Sequence, residues 1–279
     1  MIYKNQEKIF EEKRVDEVLY LSYPLLEDTG LVKHGFSTRI GGVSKEHLGT
    51  MNLSFTRGDD EERVRENYRR MAKALGVEYD SFVFSQQTHT TNVRKVTIED
   101  KGKGLVGPLD YTDVDGLITD VSGLCLSTFY ADCVPLFFVD PVHNAIGLSH
   151  SGWRGTVGKI GKVTLEKMKE AYGTEAKDVI AAVGPSICQA CYEVSEDVIE
   201  EFKNAFDSCH WQRLFYKKEN GKFQLDLWVA NEIILLEAGV LKENLAVTNV
   251  CTCCNADVLF SHRASQGKRG NLAAFLALR

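Results

Sequence analysis

Proline is scarce, with five in 279 residues. No Gly/Ser-rich or Pro-rich run breaks the chain, and no internal repeat or low-complexity tract is present. Without a linker, one domain spanning 1–279 is expected. No apolar run approaches the roughly 18 residues needed to cross a bilayer, so no membrane association is expected. The N-terminus, MIYKNQEKIFEEKRVDEVLY, is charged throughout and lacks the apolar core of a secretory signal. A cytoplasmic protein is therefore expected. A basic excess is absent too: the formal net charge is -6 and the pI about 5.7. That balance argues against a non-specific nucleic-acid binder.

What the chain does have is 44% hydrophobic residues and eight cysteines. The first is enough for a large core. In a reducing compartment the second are mostly thiols. Each is then a candidate for metal binding or catalysis, or a buried and inert packing residue.

Periodicity and punctuation place the elements. Strands are expected over 15–24 and 31–37, followed by a polar, Gly-bearing loop through TRIGGVSKEHLGTMNLS. DDEERVRENYRRMAKALG predicts a helix with Val64, Tyr68, Met71 and Leu75 on one face, Asp59 or Asp60 as cap, and Gly76 as stop. VGKIGKVTLEKMKEAYG, SEDVIEEFKNAF and LDLWVANEIILLEAG read as further helices. SFVFSQQTH, VDGLITD, LCLSTFY, DVIAAVGPSI and LAVTNVCTC read as strands. Helices and strands mix without a strict βαβ rhythm, which predicts a mixed α/β (α+β) fold of layered β-sheets flanked by helices.

The stretch STFYADCVPLFFVDPVHNAIGLSHSGWRGT, residues 127–156, reads as three strands with an acid, a thiol and an imidazole at their ends: Asp132, Cys133 and His150. His89 ends the strand before them. Two imidazoles and a thiolate suit zinc, and three protein ligands leave a fourth position for water or substrate. Copper would compete for the same donors. Two other readings use the same residues. Cys133 can be a nucleophile with His150 or His89 as base, or all three can be hydrogen-bonded core residues.

Anion sites are a separate matter. SHSGWRGTVGKI carries Arg154 on a small-residue loop ahead of a helix expected to start at about Thr156, where free N–H groups and a guanidinium would hold an anion. FSTRIGGVS places Arg39 before Gly41 and Gly42, with Ser37, Thr38 and Ser44 around them; paired glycines let backbone approach a ligand closely. An exposed turn and an ordinary hairpin loop are the alternatives. Finally, CQAC at 188–191 and CTCC at 251–254 can together supply a four-cysteine zinc site. Neither sits in an evident ribbon loop, so buried packing near the active site is the favoured reading of these thiols. Cys253 has no assigned role.

HGFSTRIGGVS, NLS, QTH, DGLITD, ADCVPLFFVDP, HSGWRGT, GPSICQACYEV, LDL and FSHRASQG occur in the order found in the laccase-domain family, the proteins long labelled polyphenol oxidases, which this chain resembles from about residue 30 to its C-terminus. The resemblance implies layered sheets and helices, related in fold to a bacterial toxin catalytic domain that uses Cys and His. It also implies a metal site of His89 from QTH, Cys133 from ADC and His150 from HSGWRGT. Asn52 of NLS, with Ser37, Arg39, Gly41 and Gly42, becomes a candidate for substrate binding. Two departures stand out: Thr90 replaces the glycine that often follows the QTH histidine, and KRGNLAA replaces the usual TGRMA, which puts contacts from Arg269 in question.

The family's associated chemistry is phosphorolysis of adenosine, inosine and guanosine, cleavage of methylthioadenosine, and adenosine deamination. Purine nucleosides and phosphate are thus the implied partners. An open zinc site suits hydrolytic deamination, with Asp132 as the nearest proton shuttle, and Arg154 or Arg39 is expected to hold phosphate. A multicopper oxidase is disfavoured: the chain has seven histidines and no His-x-His pair. A metal-free Cys133/His150 hydrolase or deamidase, a copper-dependent polyphenol oxidase and a non-enzymatic binding protein remain as alternatives.

Overall fold

The computed structural model describes residues 1–279. Two six-stranded sheets face each other. The first runs β1 (Glu11–Val15), β2 (Val18–Ser22), β3 (Val32–Ser37), β15 (Leu272–Leu278), β7 (Cys125–Tyr130), β4 (Phe82–Phe84). The second runs β14 (Leu245–Val247), β10 (Ile180–Val183), β8 (Val134–Asp140), β9 (Ala145–Ser151), β6 (Gly116–Thr119), β5 (Val93–Lys95). A small sheet of β11 (Glu193–Val194), β13 (Phe223–Leu225) and β12 (Phe215–Lys217) stands beside them. The pairings are mainly antiparallel; β4–β7, β5–β6 and β10–β14 are parallel.

Side-chain alternation sorts the apolar residues into layers. In β8, Phe137 and Val139 point between the sheets, while Val134, Leu136 and Phe138 point to the other face. That second face packs on the helices Ile160–Tyr172, Glu196–Ala205 and Leu227–Glu237. In β15, Leu272, Ala274, Leu276 and Leu278 enter the inter-sheet core, and Ala273, Phe275 and Ala277 meet the helix Glu61–Leu75. The result is a mixed α/β fold of two central sheets with helices outside each.

The helix Glu61–Leu75 forms as its sequence predicts. Asp60 caps it by accepting from the Glu62 and Arg63 amides, and Gly76 ends it in the left-handed region, at φ 67°. Two expectations need correction. The strand expected over 15–24 is shorter, β2 at Val18–Ser22, and a turn at Asp16 and Glu17 pairs it with β1 before it. The helix expected from 157 starts later, at Ile160, because a separate short helix, Trp153–Val157, precedes it. β15, which pairs with both β3 and β7, carried no expectation.

Candidate functional site

The link Ala131–Cys133 carries the chain from β7 in one sheet to β8 in the other. Asp132 takes φ 90° in that crossing, a conformation that tertiary packing must hold in place for a residue with a Cβ. Cys133 thereby emerges at the edge of the sandwich. The antiparallel register of β8 and β9 sets Pro135 opposite His150, which brings the imidazole beside the thiol. His89 arrives from the loop between β4 and β5, also in the left-handed region, at φ 68°. The donor atoms of His89, Cys133 and His150 lie within 4.8 Å of one another. Gly152 must be glycine here: a Cβ on it would stand 2.8 Å from His89 Cδ2 and 3.3 Å from Cys133 Sγ.

Asp115, just before β6, organises the triad. It is fully buried, and its Oδ1 accepts from His150 Nδ1 (2.8 Å) and the His89 amide (3.1 Å). Its Oδ2 accepts from the Thr88 and Thr90 amides (2.9 and 3.0 Å) and from Thr90 Oγ1 (3.2 Å). One carboxylate thus fixes the tautomer of His150, leaving Nε2 for a ligand, and shapes the loop that carries His89. Thr90, in place of the frequent glycine, adds a bond to that same carboxylate. Desolvation raises the carboxyl's pKa, but His150 and the loop amides outweigh it and hold Asp115 below its ordinary value.

Burial would push the Cys133 thiol up, but the two imidazoles reverse this and bring it down to about 6. Burial would likewise lower His150, and Cys133 with Asp115 raises it to about 9. His150 is buried, Cys133 half-buried and His89 exposed, so the triad is open to solvent on the His89 side. Two imidazole nitrogens and a thiolate-prone sulfur with one open side fit a single zinc or copper ion. They do not provide for a copper cluster.

The triad forms one end of a cavity of about 470 Å³. Phe55, Phe84, Phe129 and Tyr130 supply aromatic wall, and Arg57 and Arg269 supply cationic wall. Both guanidiniums converge on Asn271 Oδ1. Arg269 is half-buried, and its Nε has no partner. Burial first, then the Arg57 charge, lowers its pKa to about 10. Two like charges held side by side, one with an unsatisfied donor, call for an anion. A depression of about 490 Å³ between the β1–β2 turn and the helix Glu61–Leu75 is different: Glu66 and Asp16 already pair with Arg70 and Lys73 there.

The other sequence candidates lie outside this cavity. Asp132 is bound at both oxygens, by Thr252 Oγ1 (2.6 Å) and the Arg263 amide (2.7 Å), so it anchors the crossing and does not face the cavity. Arg154 falls inside the short helix Trp153–Val157, not ahead of a helix starting at Thr156, and lies exposed over the Trp153 ring at 4.1 Å. Arg39 donates to the carbonyls of Gly49 (2.8 Å) and Ala256 (2.9 Å) and covers Phe260 in a separate depression. Gly41 and Gly42 do allow close approach, but to the chain's own backbone: a Cβ would stand 2.3 Å from Glu17 O and 2.1 Å from Thr50 O. Ser37 accepts from the Ala273 amide within the first sheet. Asn52 is buried and ties Ser54, Asp59 and Asn271 together behind the cavity wall. Asp115 and Arg57 carried no sequence expectation. A signal for Asp115 existed in its place at the head of an apolar strand, where a buried acid needs partners.

The family model described as multi-copper polyphenol oxidoreductase laccase matches residues 33–279. The purine nucleoside phosphorylase YlmD of Bacillus subtilis (strain 168) is 34% identical over 249 residues, covering 88% of this chain and 88% of that protein. Adenosine deaminase RL5, from an unknown prokaryotic organism, is 36% identical over 236 residues, covering 82% of this chain and 87% of that one. The crystal structure of YlmD from Geobacillus stearothermophilus superposes with a TM-score of 0.89 at 32% identity, covering 97% of this chain and 99% of that chain. A match of this extent, on a fold and a His/Cys/His site of this kind, makes the chain a member of the laccase-domain family.

Proposed function

We propose that the protein is a purine nucleoside phosphorylase that also deaminates adenosine, with one metal centre formed by His89, Cys133 and His150 and the whole chain, 1–279, as a single catalytic domain. The observation that carries this reading is the cavity: it joins the donor triad, an aromatic wall and the Arg57/Arg269 pair in one space. Relatives named for each of the two activities support it. Adenosine, inosine, guanosine and methylthioadenosine are the nucleosides expected to be used.

Zinc, or copper at the same donors, would supply a Lewis acid that polarises a substrate oxygen or lowers the pKa of a water. The protein's own residues do the rest. Asp115 holds His150 and the His89 loop in ligating geometry. Arg57 and Arg269 hold phosphate, replacing Arg154 and Arg39 in that role. Phosphate oxygen then bonds the ribose C1′ as the C1′–N9 bond breaks, and the purine leaves with that electron pair and takes up a proton. Phe55 and Phe129 offer faces for the base. Asp132 acts as a positioning residue, holding the crossing from which Cys133 projects.

A second reading rests on the low Cys133 and high His150 values, which describe a thiolate–imidazolium pair. Such a pair suits a metal-free Cys/His hydrolase. Turnover of adenosine, inosine, guanosine and methylthioadenosine, with and without phosphate, on protein of known metal content separates the two. Phosphate-dependent base release lost on chelation and restored by zinc supports the proposal. Full nucleoside turnover by metal-free protein, abolished by alkylating Cys133, overturns the metal reading. No turnover of any nucleoside overturns the activity itself.

A further inference from the structure

A second donor cluster lies outside the cavity. Cys188 precedes and Cys191 ends the short helical turn Gln189–Cys191 after β10, and Cys251 and Cys254 lie on the turn after β14. The four sulfurs are within 4.8 Å of one another, and Cys191 Sγ is 3.5 Å from Cys254 Sγ. Four thiolates at about 2.3 Å from one zinc ion make a tetrahedron with sulfur–sulfur edges of about 3.8 Å. A disulfide would need about 2.05 Å, and all eight cysteines are free. Both pairs have the Cys-x-x-Cys spacing of a structural zinc site.

The surroundings fit a metal tetrathiolate. The amides of Cys188 and Cys254 point at Cys251 Sγ, at 3.3 and 3.4 Å, so the sulfur is placed as an acceptor. Cys188 and Cys251 are buried against Trp228 and Val247. The N-terminal segment closes the other side: the Lys4 amide donates to Asn249 O (2.8 Å), and its ammonium lies against Cys254. An apolar cover and a neighbouring cation suit four thiolates that together exceed the charge of one divalent ion.

We propose that Cys188, Cys191, Cys251 and Cys254 bind a structural zinc ion separate from the His89/Cys133/His150 centre. The four thiols release their protons to solvent as the ion binds. All four positions are taken by protein, so the ion has no open site for substrate. It clips together the 188–191 turn, the 251–254 turn and the N-terminal segment. It also braces the active site from behind, because Thr252 donates to Asp132 and Arg263 donates to the Cys191 carbonyl (3.1 Å), while the Arg263 amide bonds Asp132.

Metal analysis tests this independently of the activity. Wild-type protein from zinc-containing medium, dialysed against metal-free buffer, is expected to hold two zinc ions per chain. Cys133→Ser strips the other centre and is expected to keep one. Cys191→Ser/Cys254→Ser is expected to lose one and to melt at lower temperature, and the triple variant to hold none. If the double variant does not fold, cobalt-substituted Cys133→Ser protein serves instead, with the absorption of a tetrahedral tetrathiolate expected. A folded Cys133→Ser protein without zinc overturns the proposal. So does a Cys188–Cys251 or Cys191–Cys254 disulfide in non-reduced peptide maps.

Discussion

Asp115 Oδ1 accepts from His150 Nδ1 at 2.8 Å, and the same carboxylate accepts the amides of Thr88, His89 and Thr90. A single buried acid therefore orients one candidate ligand and builds the loop that presents another. The strand-borne His150 and the loop-borne His89 become one site through it.

Asp115→Asn should expose this dependence. The amide nitrogen that replaces one carboxylate oxygen donates and cannot accept, so one set of loop or imidazole bonds is lost. Zinc affinity at the triad is expected to fall about ten- to hundredfold, read by competition with a chromophoric chelator. An unchanged affinity would mean the carboxylate does not set the ligand geometry.

Arg57→Ala and Arg269→Ala should each raise the KM for phosphate about ten- to hundredfold, the loss of a charge-assisted contact of roughly 1.5–3 kcal/mol. Deamination consumes no phosphate, so its rate should change far less. Arg154→Ala and Arg39→Ala should leave the phosphate KM near wild type. The reverse pattern would move the anion site to one of those residues.

Metal identity is read by exchange. Cys133→Ser and His150→Ala should each lose one zinc equivalent and the nucleoside activities with it. Copper loaded at the triad should give slow phenol oxidation in proportion to bound copper, because copper can cycle with oxygen and zinc cannot. Rapid phenol oxidation by a zinc-only preparation that leaves every nucleoside untouched would contradict the proposed function.

His34 should give the fold an acid-sensitive element. Its Nε2 accepts from the Tyr23 amide at 2.8 Å, and burial lowers its pKa to about 4. The unfolded imidazole protonates near 6.5 while the folded one stays neutral until about 4. Stability from this group is fully present above pH 6.5 and is lost as pH falls toward 4. The total is about 3 kcal/mol, at roughly 1.4 kcal/mol per pH unit. His34→Gln keeps an acceptor and does not titrate, so its melting temperature should fall less than wild type between pH 7 and pH 5.

Legibility tracked how local each signal was. The helix Glu61–Leu75 was readable because its period, its Asp60 cap and its Gly76 stop lie within one short stretch. β15 was not, although it is central to the first sheet. NLAAFLALR is apolar on both faces, since one face meets the opposite sheet and the other meets a helix, and such a run has no alternation to detect. The helix start near Arg154 was misplaced for a related reason: SGWRGTV forms its own short helix, Trp153–Val157, which no residue in it announces.

The sequence by itself determined the layered α/β character, the strand ends near Cys133 and His150, and the donor chemistry of both metal candidates, because these depend on residue type and nearby spacing. The sequence reading had already grouped His89 with Cys133 and His150, but only the tertiary structure decided that Asp115 holds them and that Arg57 stands beside Arg269. It alone also brought the 188–191 turn against the 251–254 turn. Each of these depends on register between strands or on loops distant in the chain, and the packing of two sheets into one core sets that register.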